Sequence, residues 1–165
     1  MGNGASGVKW SVEVVVFAFA IFDSELRIRL VREGDPSGSD VLRLPRKQLT
    51  HNQTIDECVR DAFVEEAQCE LHVRATPALV KIHPKLDSLE LRYYAFVRPA
   101  EPDSEASASK QLVWHHLESK FMFEAQFATK ATRNKKTLLS ADDATAVRET
   151  VQSVLYNGID PHNPV

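Results

Sequence analysis

The stretch LPRKQLTHNQTIDECVRDAFVEEAQCEL, residues 44–71, decides how this chain folds. It opens on a proline stop, passes through a polar turn and settles into a helical pattern. Thr54 followed three residues later by Glu57 is a capping box, which satisfies two orphan N–H groups at a helix start. Ile55, Cys58, Val59, Ala62 and Phe63 then recur at helical spacing. At about 100° per residue, with Ile55 at zero, the apolar side chains gather around roughly 20°. Glu66 falls on that same line and Glu65 at its edge. A carboxylate on a core-facing stripe is costly unless it is paired, hydrogen-bonded or bound to a metal. Two readings of Glu66 stand side by side. It is a functional acid held inward, or the helix ends near Ala67 and it points past the core into solvent. An acid in the last turn also opposes the helix dipole, which a nearby cation relieves.

Working outward, Val8 to Phe22 is a long strand pattern, apolar on nearly both faces, as in the middle of a sheet. Leu26, Ile28 and Leu30 alternate with Arg27 and Arg29, which predicts a second strand with one wet face. EGDPSGSD, residues 33–40, is turn punctuation, and VLRLP is a short strand stopped by Pro45. After the helix, ELHVRATPALVKIHP and SLELRYYAFVRP read as two strands joined by a turn at PKLDS. In the second, Leu89, Leu91, Tyr93, Ala95 and Val97 face one way, and Glu90, Arg92, Tyr94 and Phe96 the other. Residues 100–110 form a small polar loop, QLVWHHL a short strand, and KFMFEAQFATKATRNKK an irregular segment. Ser140 and Asp143 cap a last helix whose stripe is Ala144, Val147, Val151, Val154 and Leu155. The layout is a tail over 1–7, a single domain over 8–157 and a tail over 158–165. Elements in this irregular order predict an α+β fold, a mixed β-sheet sandwiched between helices.

The totals narrow the function. A chain of 165 residues suits one domain with a real core. A net charge of -3 makes nucleic acid an unlikely partner. The longest apolar run, VVVFAFAIF, is too short for the roughly 20 residues of a membrane helix. Cys58 and Cys69 lack CxxC spacing and read as reduced structural thiols of a cytoplasmic protein. MGNGAS, with Gly2 and Ser6, matches a short N-myristoylation pattern that matters only in a eukaryotic setting. His115 and His116 are strand neighbours and point to opposite faces, a poor arrangement for one ion. Lys130, Arg133, Lys135 and Lys136 form a local basic patch, either a solvated loop or a contact for phosphates or RNA.

The arrangement resembles the Nudix (MutT-like) hydrolase superfamily over roughly Val8 to Leu155. That family's box reads Gly, five residues, Glu, seven residues, Arg-Glu, a hydrophobic residue, any residue, Glu-Glu, any residue, Gly and a hydrophobic residue, preceded by LPGG. Leu44 and Pro45 match the opening, and Glu65 and Glu66 the Glu-Glu. The strand order, the tryptophan strand LVWHHL and the capped last helix fit too. The likeness is strongest to the Nudix domains of NAD-related bacterial transcription regulators, without their winged-helix half.

The resemblance implies a fold built around a loop–helix–loop, with magnesium or manganese on several carboxylates, neutralising a diphosphate and activating a water. On that footing Glu66 is the catalytic candidate, Glu65 and Glu66 are the metal ligands, and Arg46 and Lys47 are the side chains placed to meet the ligand. The box is degenerate. Arg46 and Lys47 replace its glycines, Gln53 its first Glu, Asp61 its Arg, Ala62 the next Glu and Gln68 its last Gly. The reading that follows is a domain that binds a nucleoside-diphosphate-type ligand, a protein partner or a second copy, with a weakly held ion and weak or no hydrolysis. The alternatives are a metal-dependent pyrophosphohydrolase borrowing Glu101, Glu105 or Glu118, and an RNA-associated scaffold.

Overall fold

The structure, a computed structural model, describes residues 9–34, 40–98, 111–117 and 137–158. The myristoylation pattern, the 100–110 loop, Glu101, Glu105, Glu118 and the basic patch at 130–136 lie outside those residues.

The long apolar segment becomes strand β1, Ser11–Phe22, and its burial on both faces follows from its place in the sheet. It lies parallel to β6, Ser88–Phe96, on one edge. On the other edge it meets two antiparallel partners in succession: β2, Glu25–Gly34, at its end, and β4, Arg46–Gln48, near its start. β3, Asp40–Arg43, continues along β2 where β1 has left it. Beyond these, β5 (Thr76–His83) borders β6, β7 (Gln111–His116) borders β2, and β8 (Thr137–Leu139) runs parallel to β3. Leu44 and Pro45 stand where the chain leaves β2 and takes up β1, and the Val16 N–H donates to the Pro45 carbonyl at 3.1 Å.

Among the described residues, two α-helices cover the two faces. α1, Ile55–Asp61, packs its Cys58 and Val59 against Val14, Val16 and Ala18 of β1. α2, Ala141–Gly158, packs Ala146, Val147 and Val151 against Val15, Phe17 and Phe19. Each fully buried Phe or Val side chain contributes about 1.5–3 kcal/mol, so β1 alone anchors both halves of the core. Ala144 is buried as its stripe required, while the side chain of Leu155 lies outside those described. The α+β sandwich predicted from the sequence is thus the observed architecture.

Several local expectations need correction. Arg46 and Lys47 do not lie in a turn. After Pro45, which has no N–H to give, the backbone resumes pairing as β4. The wet face of β2 is dry at Arg29, which is 2% exposed because Trp114 of β7 and the end of the α1 segment cover it. The strand expected from Glu70 begins only at Thr76, since the chain must first turn away from the helix end, with Gln68 at φ 51°. β8 carried no pattern long enough to stand out.

Candidate functional site

The capping box forms as its spacing requires: the Glu57 N–H donates to Thr54 Oγ1 at 3.2 Å, and the Thr54 N–H donates to the Glu57 carboxylate at 2.9 Å. After Asp61 the helix widens into a π-helical turn, Ala62–Glu66, closed by the Ala67 N–H donating to the Ala62 carbonyl at 3.0 Å. One extra residue per turn rotates everything after Ala62. Ala67, not Glu66, therefore enters the core and is fully buried. Glu66 is half-buried and Glu65 exposed. An even α-helical wheel put Glu66 on the greasy stripe; the π turn takes it off and removes the penalty that made it suspicious.

β4 supplies the opposing side chains. Strand alternation sends neighbours to opposite faces. Lys47, level with Val14 of β1, turns to the α1 side, and its ammonium bonds the Glu65 carboxylate. That hydrogen bond is the main reason the Lys47 ammonium is held above the usual lysine range. Burial opposes it, and the charges of Glu65, Asp61 and Glu66 add to it. Asp61 accepts a hydrogen bond from the Gln53 amide at 2.8 Å, so two of the substituted box positions have become partners. Cys58 donates toward the Lys47 carbonyl at 3.8 Å; burial pushes its thiol up, with the Lys47 charge pulling the other way. Cys58 and Cys69 are both buried, and neither is in a disulfide.

Arg46, level with Val15, turns to the α2 side and meets Glu13 at 3.3 Å and Asp143 at 2.5 Å. The two residues expected to meet one ligand together are thus split between two faces. On the α2 side lies a cleft of about 590 Å³, lined among others by Glu13, Arg46, Lys81, Glu90, Arg92 and Asp142. Arg92 was not singled out from the sequence. It is 2% exposed and bonds Glu90 at 2.6 Å and Glu149 at 3.1 Å. The Nε atom of Arg46 is buried without a hydrogen-bond partner among the described residues.

The Gln68 position keeps a trace of the family pattern. The backbone there is left-handed, the region where glycine costs least, yet the side chain is glutamine. Two histidines fall as alternation required. His116 shares a face with Arg27 and lies 3.6 Å from Glu25, while His115 pairs with Ile28 on the other face. Among the described residues no group of three or more His, Cys, Asp or Glu side chains is arranged to hold a metal ion. No helix among them is long and apolar enough to cross a membrane.

No family model matches the sequence, and no curated protein matches it. Solved structures do match by shape. A MutT/nudix family protein from Enterococcus faecalis superposes with a TM-score of 0.60 at 16% identity, covering 90% of this chain and 63% of that one. This chain therefore spans less than two thirds of that protein's length. The NUDIX domain of Shewanella oneidensis NrtR, solved with ADP ribose, gives a TM-score of 0.54 at 15% identity, covering 94% of each chain. An ADP compounds hydrolase gives 0.54 at 14% identity, covering 88% of this chain and 75% of that one. The chain has the Nudix fold.

Proposed function

We propose that this chain is a Nudix-fold binding protein that takes a nucleoside-diphosphate-type small molecule and hydrolyses it weakly or not at all. The observation that carries the reading is the state of the carboxylates at the helix end. Glu65 is engaged by Lys47, Asp61 is engaged by the Gln53 amide, and Ala62 contributes no oxygen. A hard divalent cation needs several converging oxygens, and these residues do not fit magnesium or manganese in that role. When bound in Nudix-type sites, such an ion neutralises a diphosphate and helps activate a water.

The ligand class is supported by two of the similar structures, one solved with ADP ribose and one named for ADP compounds. The cleft on the α2 face has the size of a small-molecule site. Its charges are mostly paired within the protein, so a ligand's hydroxyl groups would be read by the exposed Asp142 on its rim. Hydrogen bonding and shape, rather than net attraction for an anion, supply the affinity.

The test is calorimetric titration of ADP-ribose in the presence of a chelator, followed by turnover assays with ADP-ribose and nucleoside triphosphates in millimolar magnesium or manganese. Binding without product formation is the expected result. Turnover that Glu66→Gln abolishes would establish an active hydrolase instead.

A further inference from the structure

We infer that the Lys47 ammonium stands in for the divalent cation at the end of the α1 segment, so that the protein supplies its own counter-ion to Glu65 and binds no metal there while that lysine is present. The inference deepens the proposed function above and rests on its reading of the carboxylates at the helix end. Its starting point is geometric. The backbone of Lys47 is paired with Val14, a fully buried residue of the central strand, so the stem of the lysine is anchored in the sheet. Alternation along β4 leaves its side chain only the α1 face. There it meets Glu65, with the charges of Asp61 and Glu66 also acting on it.

The contact is between Lys47 and Glu65, while Asp61 is bonded by the Gln53 amide. The side chain of Lys47 is only 23% exposed, so it is partly shielded from water. An arriving divalent ion would have to displace the ammonium from Glu65 and then remain beside its positive charge. In place of the box's glycine, whose lack of a side chain lets backbone and ion come close, this chain has placed a positive charge. The loss of the box's other acid at Ala62 and the diversion of Asp61 to Gln53 then carry no penalty, because one positive charge needs fewer oxygens than two. Removing the ammonium takes the counter-charge from Glu65, which then attracts a cation.

The experiment follows free Mn²⁺ by electron paramagnetic resonance as full-length wild type, Lys47→Met, Glu65→Gln and the Lys47→Met/Glu65→Gln double variant are titrated. Wild type is expected to leave the Mn²⁺ signal free up to about 1 mM. Lys47→Met is expected to take up one ion at least about tenfold more tightly, and the added Glu65→Gln to return binding to the wild-type level. The inference is overturned if wild type binds an ion that Glu65→Gln abolishes, or if Lys47→Met gains no affinity. Circular dichroism melts establish that each variant folds, and Lys47→Gln replaces Lys47→Met should the latter not fold. No nucleotide enters this measurement. A failed ADP-ribose titration therefore removes the ligand of the binding reading, whereas a failed Mn²⁺ result removes its account of the helix-end carboxylates, and the two failures are told apart.

Discussion

Asp143, at the start of α2, accepts the backbone N–H of Leu44 at 3.0 Å through one carboxylate oxygen and the guanidinium of Arg46 through the other. The side chain of Leu44 is fully buried, and the next residue is the one whose carbonyl holds Val16. One acid thus ties the second helix to the point where the chain crosses from β2 to β1. The Ser140 hydroxyl accepts the Asp143 N–H at 3.2 Å, so the helix cap and the tie share a residue. Asp143→Ala is expected to lower stability by about 1–3 kcal/mol, the cost of stranding a buried donor. Asp143→Asn, which keeps an acceptor for Leu44, is expected to cost less. Urea unfolding of the three proteins checks this, and an alanine variant as stable as wild type would show that packing alone holds the crossing.

Gln68 sits at φ 51°, past the end of the π turn, where the Cys69 N–H closes back on the Phe63 carbonyl at 2.8 Å. This left-handed position is where helices commonly end on glycine, and a residue with a Cβ pays roughly 1–2 kcal/mol to occupy it. Gln68→Gly is therefore expected to stabilise the protein by about 1 kcal/mol, net of the extra freedom glycine gains when unfolded. A raised urea midpoint with an unchanged slope is the confirming result. A lowered midpoint would mean that the glutamine side chain makes contacts worth more than the backbone cost.

How much of this was legible beforehand depends on how far each pattern runs. The double-faced apolar run of β1 and the capping box at Thr54 are long or chemically specific and appear where the sequence placed them, as do the Ala144, Val147 and Val151 positions of the α2 stripe. β4 and β8 are three residues each, too short for alternation to register, and they exist because longer neighbours present free edges. The π turn has no periodic signature, because it is a single inserted residue, and it is what moved Glu66 off the core stripe. The split of Arg46 from Lys47 could have been read only by knowing that both lie in a strand. Arg92 looked like one residue of a polar face. Only the tertiary meeting with Glu149 of α2 explains its burial.

Arg29 crosses from β2 to the helix end, donating from Nε to the Ala67 carbonyl at 3.1 Å while its guanidinium lies 5.0 Å from the centre of the Trp114 ring. It satisfies a carbonyl that the π turn leaves at its C-terminal end. Arg29→Met keeps most of the stem packing but removes the donor. A loss of about 2 kcal/mol is expected, since charged donors to buried acceptors contribute about 1.5–3 kcal/mol. The emission of Trp114 should change in the folded variant, because a cation has left its ring face. Unaltered emission together with unaltered stability would mean that Arg29 is not needed at the helix end.

The Lys47–Glu65 pair has its own pH signature. The ammonium is held above the usual lysine range, first by the hydrogen bond to Glu65. A raised pKa in the folded state means that the folded protein holds this proton more tightly than the unfolded chain does. The contribution is then fully present below the unfolded value of about 10.4 and is lost as pH rises through the higher folded one. With Glu65 56% exposed, the pair is expected to contribute no more than about 1 kcal/mol. The urea midpoints of wild type and Lys47→Met should therefore differ by a constant small amount from neutral pH to about pH 10 and converge only above it. Convergence already between neutrality and about pH 9 would mean that the lysine gives up its proton too early to serve as the resident cation of this site.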